Sequence, residues 1–136
     1  MMVRNNKALV RRFIREVWGQ GNLDLVDELV ETDHVHHLSR RDVRGPDGVM
    51  ELVKWFRAFL PDLTIDIHNI IGEGNTVVAY FTFHGTDKGG YGGKPASQKQ
   101  VAYQGIDIFR LDSGRIVERW GIVDTASLLQ QIGDAA

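Results

Sequence analysis

The chain has 136 residues, of which 43% are hydrophobic and 25% are charged, a balance typical of one globular domain spanning residues 1–136. It contains no cysteine, which excludes disulfide scaffolds, thiol catalysis and cysteine metal sites. A net charge of −2 is too balanced to predict a nucleic-acid or membrane-surface partner. No segment approaches the ~20 apolar residues of a membrane span, and the N-terminus lacks a signal-peptide pattern, so we expect a cytoplasmic protein.

The first half of the chain is predicted to be helical. Apolar residues recur at three- and four-residue spacing over residues 9–18, which is the pattern of an amphipathic helix. Asn22 is expected to cap a second helix over residues 23–30. Pro46 suits the first turn of a third helix, and Pro61 ends it.

After Pro61 the hydrophobic period changes from 3.6 to 2, which predicts strands. Strands are expected at residues 63–68, 76–83, 101–111 and 115–123, followed by a short helix that Asp124 or Thr125 caps. Helices followed by consecutive hairpins predict an α+β fold, in which a curved antiparallel sheet forms a cone and the N-terminal helices pack on its concave face. The interior of such a cone can hold a small ligand.

The glycine-rich segment 85–95 is interpreted as a long hairpin loop or the rim of a pocket. A phosphate-binding loop is excluded by its pattern. Lys88 stands where a glycine is required, and Lys94 is followed by Pro95 instead of serine or threonine.

Three histidines, His34, His36 and His37, form the densest group of titratable side chains. In an extended segment His34 and His36 would share one face and His37 would lie on the other. A catalytic zinc ion needs three protein ligands, and no third ligand follows at a suitable spacing, so we predict no metal site. His36 is the best candidate to enter a pocket as a hydrogen-bonding or proton-transfer group.

Alternation on the third strand places Asp107 on one face with Tyr103, Gly105 and Phe109. A tight turn at residues 112–114 makes the third and fourth strands neighbours, so Asp107 and Arg119 can face each other. Such a pair is either a structural ion pair or a catalytic base held and tuned by the arginine, and both interpretations stay open.

Several segments of the chain carry a family resemblance: residues 10–18, 21–27, 83–89, 93–95 and 105–120, then Asp124 and residues 128–133. Together they resemble the SnoaL-like polyketide cyclases over nearly the whole chain. The resemblance implies a cone-shaped α+β barrel, as in nuclear transport factor, ketosteroid isomerase and scytalone dehydratase, and a homodimer formed through the outer sheet face. It also implies an intramolecular aldol ring closure without metal or cofactor, with an aspartate as acid and base.

The sequence departs from the family pattern at the catalytic positions. The family's aspartate corresponds to Gly121, a nearby histidine to Arg119, and the pocket histidine of the preceding strand to Asp107. A further polar pocket group corresponds to His36. Either the acid/base role has moved to Asp107, with Arg119 and His36 in support, or the chain is a family member without cyclase chemistry.

The resulting prediction is a cyclase-, isomerase- or hydrolase-type enzyme acting on a small, apolar carbonyl compound. Asp107 would be the acid/base, Arg119 would orient it or stabilise an enolate, and His36 would add a hydrogen bond. One alternative is an epoxide hydrolase-like enzyme using Asp107, Arg119 and Asp87; another is a non-catalytic ligand-binding or protein-interaction module. The predicted substrate-binding residues are Trp18, Trp55, Phe56, Phe59, Tyr103 and Asp87, and Trp120 is assigned to the dimer interface.

Overall fold

Six strands and four α-helices make up residues 2–133, the part of the chain that this computed structural model describes. The helical elements are α1 (Met2–Arg12), a π-helical turn (Phe13–Trp18), a 3-10 turn (Leu23–Leu25), α2 (Val26–Leu29), α3 (Gly45–Phe59) and α4 (Thr125–Gln131). The strands are β1 (Val30–His37), β2 (Asp42–Arg44), β3 (Thr64–Glu73), β4 (Thr76–Thr86), β5 (Gln100–Asp112) and β6 (Arg115–Val123).

The strands form one curved, unclosed sheet in the order β2-β1-β6-β5-β4-β3. The predicted α+β fold, with helices packed on the concave face, is confirmed. The sheet is antiparallel at four of its five strand pairs, as predicted, and differs at the pair of β1 with β6, which is parallel. Hairpins force β3 to β6 to alternate in direction, whereas β1 and β6 lie far apart in sequence and no local turn sets their relative direction.

The β5–β6 hairpin sets the register of the site. Its turn uses Ser113 and Gly114, both with positive φ, as a two-residue hairpin loop requires. Buried and exposed residues alternate along the whole of β5. Asp107 stands directly opposite Gly121, and Phe109 stands opposite Arg119. The pairing therefore brings Asp107, Phe109, Arg119 and Gly121 close together on two neighbouring strands.

The first helix departs from its predicted regular form over its last six residues, Phe13–Trp18, which are π-helical. The Gly19 N–H donates to the Ile14 carbonyl oxygen at 2.9 Å, five residues back. The wider turn carries Phe13 and Trp18, five residues apart, to the same side of the helix, where both rings contact one side chain of β6.

The second predicted helix is shorter than expected. Residues 23–29 form a 3-10 turn and one α-helical turn, and Val30 already belongs to β1. Asn22 precedes the 3-10 turn, but its side chain makes no capping hydrogen bond. The closing helix is capped as predicted, since Asp124 Oδ1 accepts a hydrogen bond from the Ser127 N–H at 3.0 Å. No helix within residues 2–133 combines the length and apolar character needed to cross a membrane.

Candidate active site

Asp107 and Arg119 form a buried ion pair on the concave face of the sheet. Arg119 Nε donates to Asp107 Oδ2 at 2.8 Å, and Arg119 Nη2 lies 2.5 Å from the same oxygen. The two residues are only 2% and 5% exposed. The predicted facing of Asp107 and Arg119 is confirmed, with the contact running diagonally because Arg119 is two residues from Gly121, the direct partner of Asp107.

Gly121 leaves the space that the carboxylate fills. A Cβ atom added at Gly121 would lie 2.6 Å from Asp107 Oδ1 and 2.9 Å from His36 Nε2. Those two atoms are therefore no more than about 5.5 Å apart. The site thus assembles a carboxylate, a guanidinium and an imidazole around a residue without a side chain.

Burial dominates the electrostatics of the carboxylate. Removal from water raises the pKa of Asp107 above its ordinary value, and the attraction and hydrogen bond of Arg119 oppose that rise without cancelling it. The Arg119 guanidinium is itself surrounded by three aromatic rings, with Cζ 5.3–5.4 Å from the ring centroids of Phe13, Trp18 and Phe109. These rings stabilise the cation and exclude water from the pair.

His34 and His36 extend the site along β1. Both point to the concave face, as the alternation predicts, and both are fully buried with neither ring nitrogen hydrogen-bonded. Burial first, and then the charge of Arg119, lowers the pKa of His34 to about 4 and lowers that of His36 further. The two imidazoles are therefore neutral at neutral pH, and each can donate one hydrogen bond and accept another.

Within residues 2–133, three further buried polar atoms have no hydrogen-bond partner: Trp18 Nε1, the Tyr103 hydroxyl and Arg119 Nη1. Native proteins hydrogen-bond almost all of their buried polar groups, and each orphaned group costs about 1–3 kcal/mol. Here they gather on one side of the sheet. An unbroken series of ring contacts links Tyr103 through Phe83 to Trp18, and Trp18 contacts Arg119. This concentration marks the concave interior as a ligand-binding region.

The predicted pocket-wall residues divide into two groups. Trp18 and Tyr103 are buried in the interior, and half-buried Phe56 contacts Trp18 at 5.6 Å between ring centroids. Phe59 is buried but packs on Tyr91 of the glycine-rich loop, and Trp55, 41% exposed, contacts the same tyrosine. The structure therefore brings the first group towards Arg119 and places the second beneath the loop.

Asp87, predicted to bind substrate, is instead the anchor of the glycine-rich loop. Its two carboxylate oxygens accept hydrogen bonds from the backbone N–H groups of Gly90 and Ser97, both at 2.9 Å. Burial would raise its pKa, but these hydrogen bonds outweigh burial and leave the pKa lowered. Asp87 follows the last residue of β4 and is eight residues beyond Ala79, the partner of Asp107 on that strand. The predicted grouping of Asp87 with Asp107 and Arg119 is therefore wrong.

Sequence reasoning missed several residues of the site: His34, Phe13, Phe83 and Phe109. His34 carried a usable signal, because it lies two residues from His36 on an extended segment and so must share its face. Phe109 carried the same kind of signal, because strand alternation places it on the face of Asp107. Phe13 and Phe83 carried none, since aromatic side chains at regular spacing mostly form ordinary core. Within residues 2–133 no group of three or more histidine, aspartate or glutamate side chains is placed to hold a metal ion.

Known proteins match most of this chain. The family model described as SnoaL-like polyketide cyclase matches residues 8–132. The nogalonic acid methyl ester cyclase of Streptomyces nogalater is 27% identical over 117 residues, which cover 84% of this chain and 87% of that enzyme.

Solved structures show the same fold. A SnoaL-like protein from Jannaschia sp. CCS1 superposes with a TM-score of 0.91 at 23% identity, covering 99% of this chain and 95% of that one. A polyketide cyclase-like protein from Acidithiobacillus ferrooxidans gives a TM-score of 0.86 at 29% identity, covering 97% and 96%. The chain belongs to the SnoaL-like polyketide cyclase family.

Proposed function

We propose that this protein is a cyclase- or isomerase-type enzyme that moves a proton next to the carbonyl group of a small, largely apolar substrate, with Asp107 as the acid and base. The observation that carries the proposal is the carboxylate of Asp107, fully buried, held on one oxygen by Arg119 and left with its other oxygen beside Gly121 and His36. A dry carboxyl with a raised pKa suits proton abstraction from carbon.

The supporting residues divide the work by position. Arg119 holds Asp107 through Oδ2, so the ion pair fixes the orientation of the carboxylate. Oδ1 can therefore take a proton without a rearrangement of the site. Neutral His36, close to Oδ1, can hydrogen-bond to a substrate oxygen or relay a proton. The aromatic rings around the pair fit an apolar substrate body.

The three residues Asp107, Arg119 and His36 are all buried in this structure. A substrate therefore reaches Oδ1 only when side chains over the site move. The half-buried ring of Phe56 and the glycine-rich loop next to Trp55 form the more open end of the aromatic cluster. We propose that access is from that end.

The exchange Asp107→Asn tests the function because it keeps the shape of the side chain and removes its basicity. Two reactions are followed: ring closure of nogalonic acid methyl ester, the substrate named for the Streptomyces relative, and exchange of the α-hydrogens of 2-tetralone with deuterium oxide. We expect Asp107→Asn to lower either rate by a factor of about 10²–10⁴. The matched control is Asp66→Asn, which makes the same exchange at an exposed carboxylate on β3 that pairs with His84. This variant should keep the wild-type rate.

Full turnover by Asp107→Asn would contradict the assignment. Absence of both reactions in the wild-type protein would favour the non-catalytic ligand-binding alternative. The epoxide hydrolase-like alternative lacks its third member, because both carboxylate oxygens of Asp87 are engaged in the loop.

We also propose that the enzyme works as a homodimer, in the cytoplasm. The outer face of the β5–β6 hairpin carries a square of exposed apolar side chains, with Ile106 opposite Ile122 and Ile108 opposite Trp120. These four residues are 39–70% exposed, and a contiguous apolar patch of this kind is typical of a protein interface.

A further inference from the structure

Two hydrogen-bond donors next to the ion pair have no hydrogen-bond partner among the residues that the structure describes. Arg119 gives Nε and Nη2 to Asp107, so Nη1 is its remaining nitrogen, and Nη1 is buried without a partner. Trp18 Nε1 is likewise buried and unpartnered. The guanidinium carbon of Arg119 lies 5.3 Å from the centroid of the Trp18 ring, so the two donors belong to one small region.

Both groups can only donate, because neither an indole nitrogen nor a guanidinium nitrogen has a free lone pair to accept a hydrogen bond. A ligand that satisfies them must therefore present an oxygen or a similar acceptor. Packing alone does not explain the indole at position 18, since a phenylalanine would fill an apolar site without a buried donor.

The backbone of the first helix is adapted to this placement. The π-helical turn Phe13–Trp18 brings Trp18 to the same side as Phe13, and both rings then flank the Arg119 guanidinium. Single π-helical turns within α-helices occur frequently at functional sites.

We infer that Trp18 is a catalytic residue: its Nε1–H and the Nη1–H of Arg119 bind the carbonyl oxygen of the substrate and hold the negative charge that develops there. This inference rests on the proposed function. Asp107 Oδ1 takes a proton from the carbon next to the carbonyl, the C–H electron pair forms the enolate double bond, and the carbonyl π pair moves to the oxygen. When the enolate carbon attacks a second carbonyl or is reprotonated, the charge leaves the oxygen and the proton on Oδ1 returns to the product.

A binding experiment on the wild-type protein tests the donor role without turnover. The probe is 4-nitrophenol, an aromatic compound whose oxygen resembles the oxygen of an enolate. Two-dimensional ¹H–¹⁵N spectra resolve the indole N–H signals of the three tryptophans, which are assigned from Trp→Phe variants. We expect saturating 4-nitrophenol to move the Trp18 signal downfield, as a new hydrogen bond requires, and to leave the Trp120 signal on the outer sheet face in place.

The variant Trp18→Phe removes the donor and keeps an aromatic ring. We expect its affinity for 4-nitrophenol to fall by at least about tenfold, in line with the loss of a hydrogen bond to a charged group. Its kcat should fall by about a hundredfold with little change in KM, as on loss of one oxyanion donor. Tyr80→Phe also removes a polar group from an aromatic side chain, at a half-buried residue that packs on His68 away from the site, and should change neither quantity.

An unmoved Trp18 signal at saturation, or no binding of 4-nitrophenol to the wild-type protein, would overturn the inference. Circular dichroism checks that Trp18→Phe is folded, and the wild-type spectra decide the question if it is not. The proposed function fails separately: if Asp107→Asn kept full turnover while the indole shift was observed, the base would be wrongly assigned and the donor role would stand.

Discussion

The carboxylate of Asp107 occupies the space into which any side chain at position 121 would project. Asp107 and Gly121 are direct partners on β5 and β6, and a Cβ at Gly121 would come within 2.6 Å of Asp107 Oδ1. With Asp107 in this position, a side chain at position 121 could point into the site only if the carboxylate moved. The carboxylate that the family resemblance leads one to expect at position 121 enters the same space from the neighbouring strand.

Gly121→Ala should damage the protein through this contact. The added methyl group must displace an Asp107 side chain that Arg119 holds in place, and it also meets His36 Nε2 at 2.9 Å. We expect a loss of about 1–3 kcal/mol in the free energy of unfolding, typical of overpacking, together with a large loss of turnover. Urea unfolding measures the first effect.

A double-mutant cycle with Asp107→Ala isolates the contact between the two positions. In the Asp107→Ala background the clash with Oδ1 is gone, so adding Gly121→Ala should cost clearly less than it does in the wild-type protein. Equal costs in both backgrounds would show that the two positions do not compete for space.

The stability of the protein should fall as the pH falls from about 6.5 towards 4, because His34 and His36 are buried in the neutral form. Burial lowers the pKa of His34 to about 4 and lowers that of His36, while histidines in the unfolded chain titrate near their ordinary value of about 6.5. Within that window the unfolded chain binds more protons than the folded one. Each of these histidines therefore removes up to about 1.4 kcal/mol per pH unit.

Urea unfolding at several pH values across this window measures the slope. The double variant His34→Asn and His36→Asn should flatten it, and His84→Asn, on the exposed pair with Asp66, should not. His37 acts in the opposite sense, because hydrogen bonds to Glu118 and Asp42 raise its pKa. Its contribution is complete below its unfolded pKa and is lost as the pH rises through the folded one. An unchanged slope in the double variant would contradict the prediction.

Tyr103→Phe should leave the free energy of unfolding unchanged or raise it by up to about 1 kcal/mol, because the Tyr103 hydroxyl is buried without a hydrogen-bond partner. The same exchange at Tyr80, a half-buried residue that packs on His68, is the control and should have little effect. Thermal unfolding of both variants provides the comparison. A marked loss of stability in Tyr103→Phe would mean that the hydroxyl serves the fold and is not reserved for a ligand.

Ile122→Lys should shift the proposed dimer to monomers. Ile122 is the most exposed of these four apolar residues, and its side chain faces away from Asp107. A lysine there would have to lose its hydration when the interface forms, which destabilises the dimer and leaves the site unchanged. Sedimentation velocity measures the oligomeric state, with Glu73→Lys at the end of β3 as an exposed control. A monomeric wild-type protein would contradict the dimer proposal.

Much of the site could be predicted because its geometry is local. The two-residue turn at Ser113 and Gly114 makes β5 and β6 antiparallel neighbours, as predicted. The turn alone would place Asp107 opposite Trp120, with Arg119 on the other face of the sheet. A one-residue register shift next to Leu111 places Gly121 opposite Asp107 instead, and so brings Asp107 and Arg119 to the same face. The position of His36 followed from the extended segment that contains it. These properties depend on residues a few positions apart in one stretch of chain.

Other features depend on which distant segments meet. Asp87 has the residue type of a pocket group, but the fold of the loop uses both of its carboxylate oxygens. The pairing of β1 with β6 joins residues more than 80 positions apart and brings His36 opposite Arg119. The π-helical turn that directs Trp18 towards Arg119 could not be predicted, because the spacing of apolar residues in this segment fits a regular α-helix equally well.

The sequence by itself determined the α+β class, the helical face that covers the sheet, and the two strands that carry the carboxylate and the arginine. Hydrophobic periodicity and turn chemistry act over a few residues and can be read directly. Only the tertiary structure decided that Gly121 makes room for Asp107 and that Trp18, Tyr103, His34 and His36 all keep unpartnered polar atoms in one interior. The physical reason is that packing and burial are set by contacts between distant segments, and a tryptophan, tyrosine or histidine in a sequence does not show whether its polar atoms will find partners.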